Sequence, residues 1–316
     1  MSAPGASVAF LGPAGTFTES ATRAVRTLAV TERVPLADAA AIAAAVSAGT
    51  FDAGVVPIEN SVHGTVLPTL DQLVFDSADL LVREEVVVDV AFDLCGNPTA
   101  ASAPTVVLSH PHALAQCSAV IAARGLRSEE TSSTAEACRL VATERPDALC
   151  LAAPGTGEQY GLTVDTAQVQ DRDGGRTRFW VISRTLASVS VDGTFRTALV
   201  LTPGRDRPGI LLELLRPFAE RGINLSSLMS RPLRSGLGLY CFIVVVDDHI
   251  DAPRFRAALS ELLDQGVRVK NLGSYLAWPT PAPTASAQAE FPPGSIASSD
   301  APHRQAAALA PRHDEP

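Results

Sequence analysis

At roughly 100–200 residues per domain, a chain of 316 residues has room for about two domains. Hydrophobic residues make up 46% and charged residues 19%, and no run approaches the roughly 18 apolar residues of a membrane helix, which argues against insertion in a bilayer. With 25 basic against 34 acidic residues the net charge is -9, so the chain has no general attraction for phosphate backbones and nucleic acid is not an expected partner.

The opening Met1–Gly5 carries no basic segment, and the first apolar run, Val8 to Leu11, is too short for a signal peptide, so a cytoplasmic protein is expected. Ser7 to Leu11 is predicted as a strand. Gly12-Pro13-Ala14-Gly15 then turns, and Thr16 opens a helix as a capping box with Glu19 reaching back. Val55 to Ile58 is a second strand, leading through Glu59-Asn60-Ser61 into a helix near Pro68 to Val74. Leu80 to Phe92 and Gln168 to Ser183 are β-rich segments long enough to run between two lobes. Thr105 to Leu108 leads into Ser109-His110-Pro111, with the proline in the first helical turn, and Ser133 to Glu136 is a second capping box whose helix ends before Pro146. This alternation of short strands and Ala-rich helices is the pattern of an α/β domain over residues 1–184.

Small and polar residues at 185–195 form an expected linker. Thr197 to Leu201, Pro208 to Arg221, Asn224 to Ser230, Leu239 to Val246, Pro253 to Leu263 and Val267 to Leu272 then alternate as βαββαβ, a ferredoxin-like second domain over 196–279. From 280 to 316 the Ala, Pro and Ser-rich composition predicts a disordered tail.

The five cysteines form no C-x-x-C pair and read as buried reduced thiols. No G-x-x-x-x-G-K-[ST] occurs, and Lys270, the single lysine, sits in a predicted strand, which disfavours P-loop and Schiff-base chemistry. His110 and His112 are two residues apart, poor spacing for a shared metal on a helix, so no metal site is expected.

Several strand-to-helix turns on one edge of an α/β sheet would bring helix N-termini around one crevice, which suits an anionic ligand. The Gly12–Thr16 turn reads either as a close backbone approach to such a ligand or as an ordinary turn. Glu59-Asn60-Ser61 reads as ligand-facing or as a cap. Gln116, seven residues after Ser109, would return to the same helical face and line one wall with it. The polar run Asp171 to Phe179 either is a solvated hairpin or aims a hydroxyl, a guanidinium and a ring at a ligand.

Taken in order, Gly12-Pro13-Ala14-Gly15-Thr16-Phe17-Thr18, Pro57-Ile58-Glu59-Asn60-Ser61, Ser109-His110-Pro111 with Gln116-Cys117, Ser133-Thr134-Ala135, Tyr160-Gly161-Leu162 and Thr177-Arg178-Phe179 resemble the motifs of prephenate dehydratase. Arg207-Pro208-Gly209-Ile210-Leu211, Arg221 to Leu225 and Ser230-Arg231-Pro232 resemble the ACT domain that follows it. The resemblance implies a bilobal catalytic region like a type II periplasmic-binding-protein fold, a homodimer or homotetramer, and conversion of prephenate to phenylpyruvate with loss of carbon dioxide and water, without a cofactor.

By the same resemblance, Thr177 supplies the hydroxyl to the leaving group, Arg178 and Phe179 shape the pocket, and Thr16, Glu59, Asn60, Ser61, Ser109 and Gln116 line the substrate cleft. Pro208, Gly209, Ile210, Leu211, Ser230, Arg231 and Pro232 would bind a regulatory aromatic amino acid, phenylalanine first. The chain departs from the family pattern at His112, often Gln, at Gly174-Gly175, usually with Asn, and at Met229, usually Glu. The first two leave arogenate dehydratase and prephenate decarboxylase as alternatives on the same scaffold. Retention of Thr177 favours the dehydratase. A ligand sensor is a further alternative, for which the sequence offers no output motif.

Overall fold

The computed structural model describes residues 5–100, 103–186, 193–234, 236 and 238–279. The expected tail and the centre of the expected linker, 187–192, lie outside the described residues. The first lobe contains β1 (Ala6–Leu11), α1 (Phe17–Arg23), β2 (Val30–Leu36), α2 (Ala39–Ser47), β3 (Ala53–Asn60), β4 (Gly64–Thr65), α3 (Leu67–Phe75) and β5 (Leu81–Asp89). Val8, Ala9 and Phe10 are fully buried because both faces of β1 are covered, as the unbroken apolar run requires.

The chain then crosses into a second lobe. This lobe holds β6 (Asp93–Gly96), β7 (Val106–Ser109), α4 (Pro111–Gln116), α5 (Ser118–Ala123), β8 (Arg127–Glu130), α6 (Thr134–Thr143), β9 (Leu149–Ala152), α7 (Thr156–Gln159) and β10 (Thr163–Thr166). Its sheet runs β10-β6-β9-β7-β8, and β11 (Arg176–Ser183) returns the chain to the first lobe between β5 and β3. Residues 90–92 and 167–175 are therefore the two connections between lobes, where the sequence placed its long β-rich segments.

The C-terminal region contains β12 (Phe195–Thr202), α8 (Ile210–Ala219), β13 (Leu225–Pro232), β14 (Tyr240–Val246), α9 (Pro253–Asp264) and β15 (Arg268–Leu276), the expected βαββαβ order. Helix α8 starts at Ile210 rather than Pro208. Gly209, in the left-handed region at φ +85°, is its N-cap, so the helical path begins only after it.

This region continues the first lobe's sheet. The strand order is β13-β14-β12-β15-β5-β11-β3-β1-β2, joined where Leu276 of β15 pairs with Glu84 of β5. Gly273 makes the approach possible: its φ is +128°, and a Cβ there would lie 2.3 Å from the Val82 carbonyl oxygen. Tyr275 and Trp180 pack across the junction at 5.9 Å between ring centroids.

Charged groups reinforce the join. Buried Glu85 of β5 lies 3.3 Å from Arg178 of β11 and 3.1 Å from Arg196 of β12, whose other edge holds Asp247 at 2.9 Å. Helix α3 is gripped by the C-terminal region along its length. Arg231 binds Asp71 through two bonds, of 2.9 and 2.5 Å. Arg234 binds Asp76 at 2.7 Å, and Lys270 donates to the carbonyls of Leu73, Val74 and Ser77 at 2.6–2.9 Å. The single lysine thus caps the C-terminal end of α3, the end where a positive charge is favoured.

All five cysteines are free and buried. Among the described residues, no helix is long and apolar enough to cross a membrane, and no cluster of three or more His, Cys, Asp or Glu is arranged to hold a metal ion.

Candidate active site

A cavity of about 760 Å³ lies between the lobes, within the range of small-molecule sites. Leu11, Thr16, Phe17, Val66 and Leu67 line it from the first lobe, and Phe92, His110, His112, Ala113, Gln116 and Ser133 from the second. Thr177 and Phe179 of β11 form its floor with Asn60 of β3. Phe17 and Phe92 meet edge to face across the lobes at 5.5 Å, giving the cavity an apolar wall.

Strand geometry decides which motif residues reach this space. Successive side chains of a strand point to opposite faces, so Thr177 and Phe179 face the cavity and Arg178 faces away. On β3 the register with β11 skips a residue: Arg178 opposes Glu59 and Phe179 opposes Pro57. This bulge places Ile58 and Glu59 together on the far face and returns Asn60 to the cavity.

Asn60 and Thr177 then meet as directly paired residues. The Asn60 Nδ2 donates to Thr177 Oγ1 at 2.9 Å, while Asn60 Oδ1 accepts the backbone N–H groups of Val62 and His63 at 2.9 and 3.0 Å. Both ends of the amide are committed, which fixes its orientation. With its oxygen accepting from Asn60, the Thr177 hydroxyl keeps its proton for another partner.

The structure places several of the expected site residues away from this cavity. Glu59 and Arg178 do not line the cavity; they pair at 2.6 Å on the opposite face, beside a crevice of about 40 Å³ shared with Met229, Trp180 and Tyr275. Ser61 accepts the Arg176 N–H at 2.9 Å and so pins β3 to β11 outside the cavity. Ser109 is fully buried at the end of β7, donating to the Leu151 carbonyl at 2.7 Å; α4 begins only at Pro111, so the helical spacing that joined Ser109 to Gln116 does not apply. Of the Gly12–Thr16 turn, Gly12 and Thr16 line the cavity and Gly15 is turned from it. At φ +82° it abuts the other lobe, where a Cβ would meet Thr156 at 2.9 Å and where Thr156 Oγ1 donates to its carbonyl.

Thr16 does cap α1, accepting from Glu19 N, and Glu19 reaches back to Gly15 N at 2.6 Å rather than to the cap itself. In the second box Ser133 accepts from Glu136 N, but the Glu136 carboxylate turns outward to Arg139.

Three histidines were not assigned to the site from sequence. His63 and His112 stack at 4.2 Å and 21°, His110 meets His112 edge-on at 4.9 Å, and Gln116 Nε2 lies 3.2 Å from His63 Nε2. Burial holds His110 and His112 below the ordinary histidine value, with His63 adding to the effect on each. His63 carries no sequence signal, since it sits in a turn and meets His112 only through the tertiary fold.

In the C-terminal region Ser230 is exposed on β13, while Arg231 turns to Asp71 and Met229 packs toward the catalytic sheet. Gly209 lies at the start of α8 and Ser230 on β13. Ile210 lines a separate cavity of about 530 Å³ beside Arg205 and Arg207.

The sequence matches the prephenate dehydratase family model over residues 8–186 and the ACT domain model over residues 204–264. It is 37% identical over 289 residues to a prephenate dehydratase of Mycolicibacterium vanbaalenii, covering 86% of this chain and 91% of the relative. Among solved structures, prephenate dehydratase from Arthrobacter aurescens in complex with L-Phe matches with a TM-score of 0.77 and 35% identity, over 85% of this chain and 89% of that one. A protein described as a novel type of quorum quenching acylase, GqqA, matches at 0.76 and 29% identity, over 86% and 98%. A fold that carries more than one described activity makes the residues of the cleft the basis for stating a reaction.

Proposed function

We infer the function from the premise that this chain belongs to the prephenate dehydratase family: it is a lyase of phenylalanine biosynthesis, converting prephenate to phenylpyruvate, carbon dioxide and water. The reaction needs the ring carboxylate and ring hydroxyl held in the fragmenting geometry. As the carboxylate leaves as carbon dioxide, its bonding pair enters the ring, aromatises it and expels the hydroxyl, which takes up a proton to leave as water.

The observation that carries this reading is the Asn60–Thr177 bond. Asn60 leaves the Thr177 proton directed into the cleft, where it donates to the departing oxygen. A threonine hydroxyl is too weak an acid to ionise on its own, so its contribution is a hydrogen bond that strengthens as charge grows on the leaving oxygen. Phe179, Phe17 and Phe92 bound the space for the ring, while Thr16 and Gln116 offer polar contacts at its rim. Glu59, Arg178, Ser61 and Ser109 act from behind the cleft, holding the strands that present Thr177 and Asn60. Replacing Thr177 by Ala tests the reading: kcat is expected to collapse while prephenate binding persists.

Residues 196–279 then serve regulation, with the linker 185–195 joining them to the catalytic residues 1–184. An aromatic amino acid, phenylalanine first, binds at Pro208–Leu211 and Ser230–Pro232. The L-Phe complex of the Arthrobacter relative supports this assignment. The site is completed by a second copy, in a homodimer or homotetramer, as the resemblance to ACT domains implies. The support for pairing is β13, an edge strand with Leu228 exposed and an unpaired rim. Helix α3 offers the route between the regions, since Leu67 lines the cleft and Arg231 and Lys270 hold its body and end. A small-molecule lyase of this kind belongs in the cytoplasm.

A further inference from the structure

Prephenate carries two carboxylates, yet no arginine, lysine, aspartate or glutamate is among the described residues lining the cleft. Its ionisable side chains are three imidazoles. His63 enters from the turn after β3 in the first lobe, and His110 and His112 from the start of α4 in the second, so the 4.2 Å His63–His112 stack spans the mouth from lobe to lobe.

Resting on the reading of this cleft as the prephenate site, we propose that His63 and His112 are its carboxylate-recognition pair, becoming cationic by taking up a proton as the dianion enters. His110 has a different part. Its Nδ1 accepts the His112 backbone N–H at 3.2 Å, so a proton on that nitrogen would cost the cap of α4, and His110 remains a neutral Nε2–H donor. His63 is free of that restraint. Its contact is the Gln116 amide at 3.2 Å, which serves as donor to a bare ring nitrogen and, turned over, as acceptor from a protonated one.

The charged and titratable groups facing the cluster are few. Glu130 at the end of β8 faces His110 and favours its charge, and the histidines oppose charge on one another. Partial desolvation and this mutual repulsion hold His112 below the ordinary histidine value. A carboxylate within a few ångströms reverses the balance, raising a histidine by about 1–3 units. The pair's protonation is then favoured in the complex over the free protein. Affinity is accordingly greatest below the free-state titration and declines as pH rises through that of the complex.

Steady-state kinetics with prephenate from about pH 6 to pH 8.5 test this, for the wild type, His63→Gln with His112→Gln, and His112→Arg. His63 and His112 are exposed, so the substitutions leave the core intact, and melting curves verify it. The wild-type KM is expected to rise about tenfold or more over the range, with kcat following far less closely. The double glutamine variant should show a raised KM that is flat with pH, and the arginine variant a lower KM that rises less steeply with pH than the wild type's. A wild-type KM independent of pH, or a double variant that keeps the wild-type profile, overturns the proposal. Failure of the wild type to form phenylpyruvate would instead defeat the reading of the cleft on which the proposal rests.

Discussion

The acidity of a threonine hydroxyl is fixed by chemistry, but the direction of its proton is set by its neighbours. Thr177 receives a hydrogen bond from Asn60, whose own carbonyl is held by two backbone N–H groups, so the donor capacity of Thr177 is left over for substrate. Thr177→Ala is expected to lower kcat by about 10²–10⁴-fold, with Thr177→Ser losing about tenfold or less. Asn60→Ala removes the orientation of Thr177 together with the two bonds that hold the turn at Val62 and His63, and should cost about 10–100-fold in kcat in the same phenylpyruvate assay. At this scale the sequence was legible where a motif residue faces the cleft, as at Thr16, Asn60, Gln116, Thr177 and Phe179. It was misread where motif order hid direction. Glu59 and Arg178 flank Asn60 and Thr177 in sequence yet occupy the opposite face, and strand alternation around Thr177 was the available signal for Arg178. The bulge that turns Glu59 has no such signal, because it depends on pairing with β11.

Helix α3 illustrates what periodicity shows of an element and what it leaves out. Its extent followed from the hydrophobic pattern and Pro68, but its partners come from residues more than 150 positions away and could not be read from the segment. Removal of the Lys270 ammonium strips a charged donor from three carbonyls. Lys270→Met is therefore expected to destabilise the protein by about 1–3 kcal/mol, measured by denaturant unfolding, and to weaken any response of the cleft to amino acid. Gly273 is the other element-scale constraint. Gly273→Ala would bring a methyl group against the Val82 backbone and force β15 from β5. A lowered melting temperature with substrate affinity altered at the same time is the expected result. An alanine variant as stable as the wild type would show that the sheet junction tolerates separation. The two strands that meet at this junction, β5 and β15, were foreseeable, whereas the edge-to-edge pairing that merges the two regions into one sheet was not, since a single pair, Leu276 with Glu84, makes it.

At the scale of the molecule, the cleft and the C-terminal region share a continuous sheet and a common helix, which link β13 physically to Asn60 and Thr177. Light scattering and activity followed across a phenylalanine titration are expected to show a dimer or tetramer whose rate falls as phenylalanine binds. A monomer indifferent to phenylalanine would contradict that arrangement. Met229 packs toward the crevice beside Arg178, so Met229→Glu would place a carboxylate near that guanidinium and is expected to change the coupling rather than the cleft. The most direct test of the central claim is the product formed from prephenate by the purified wild-type chain and by Thr177→Ala, identified by mass. Phenylpyruvate from the wild type, with only a trace from the variant, is the expected result. A product that keeps the non-aromatic ring, or equal conversion by the two proteins, would contradict it.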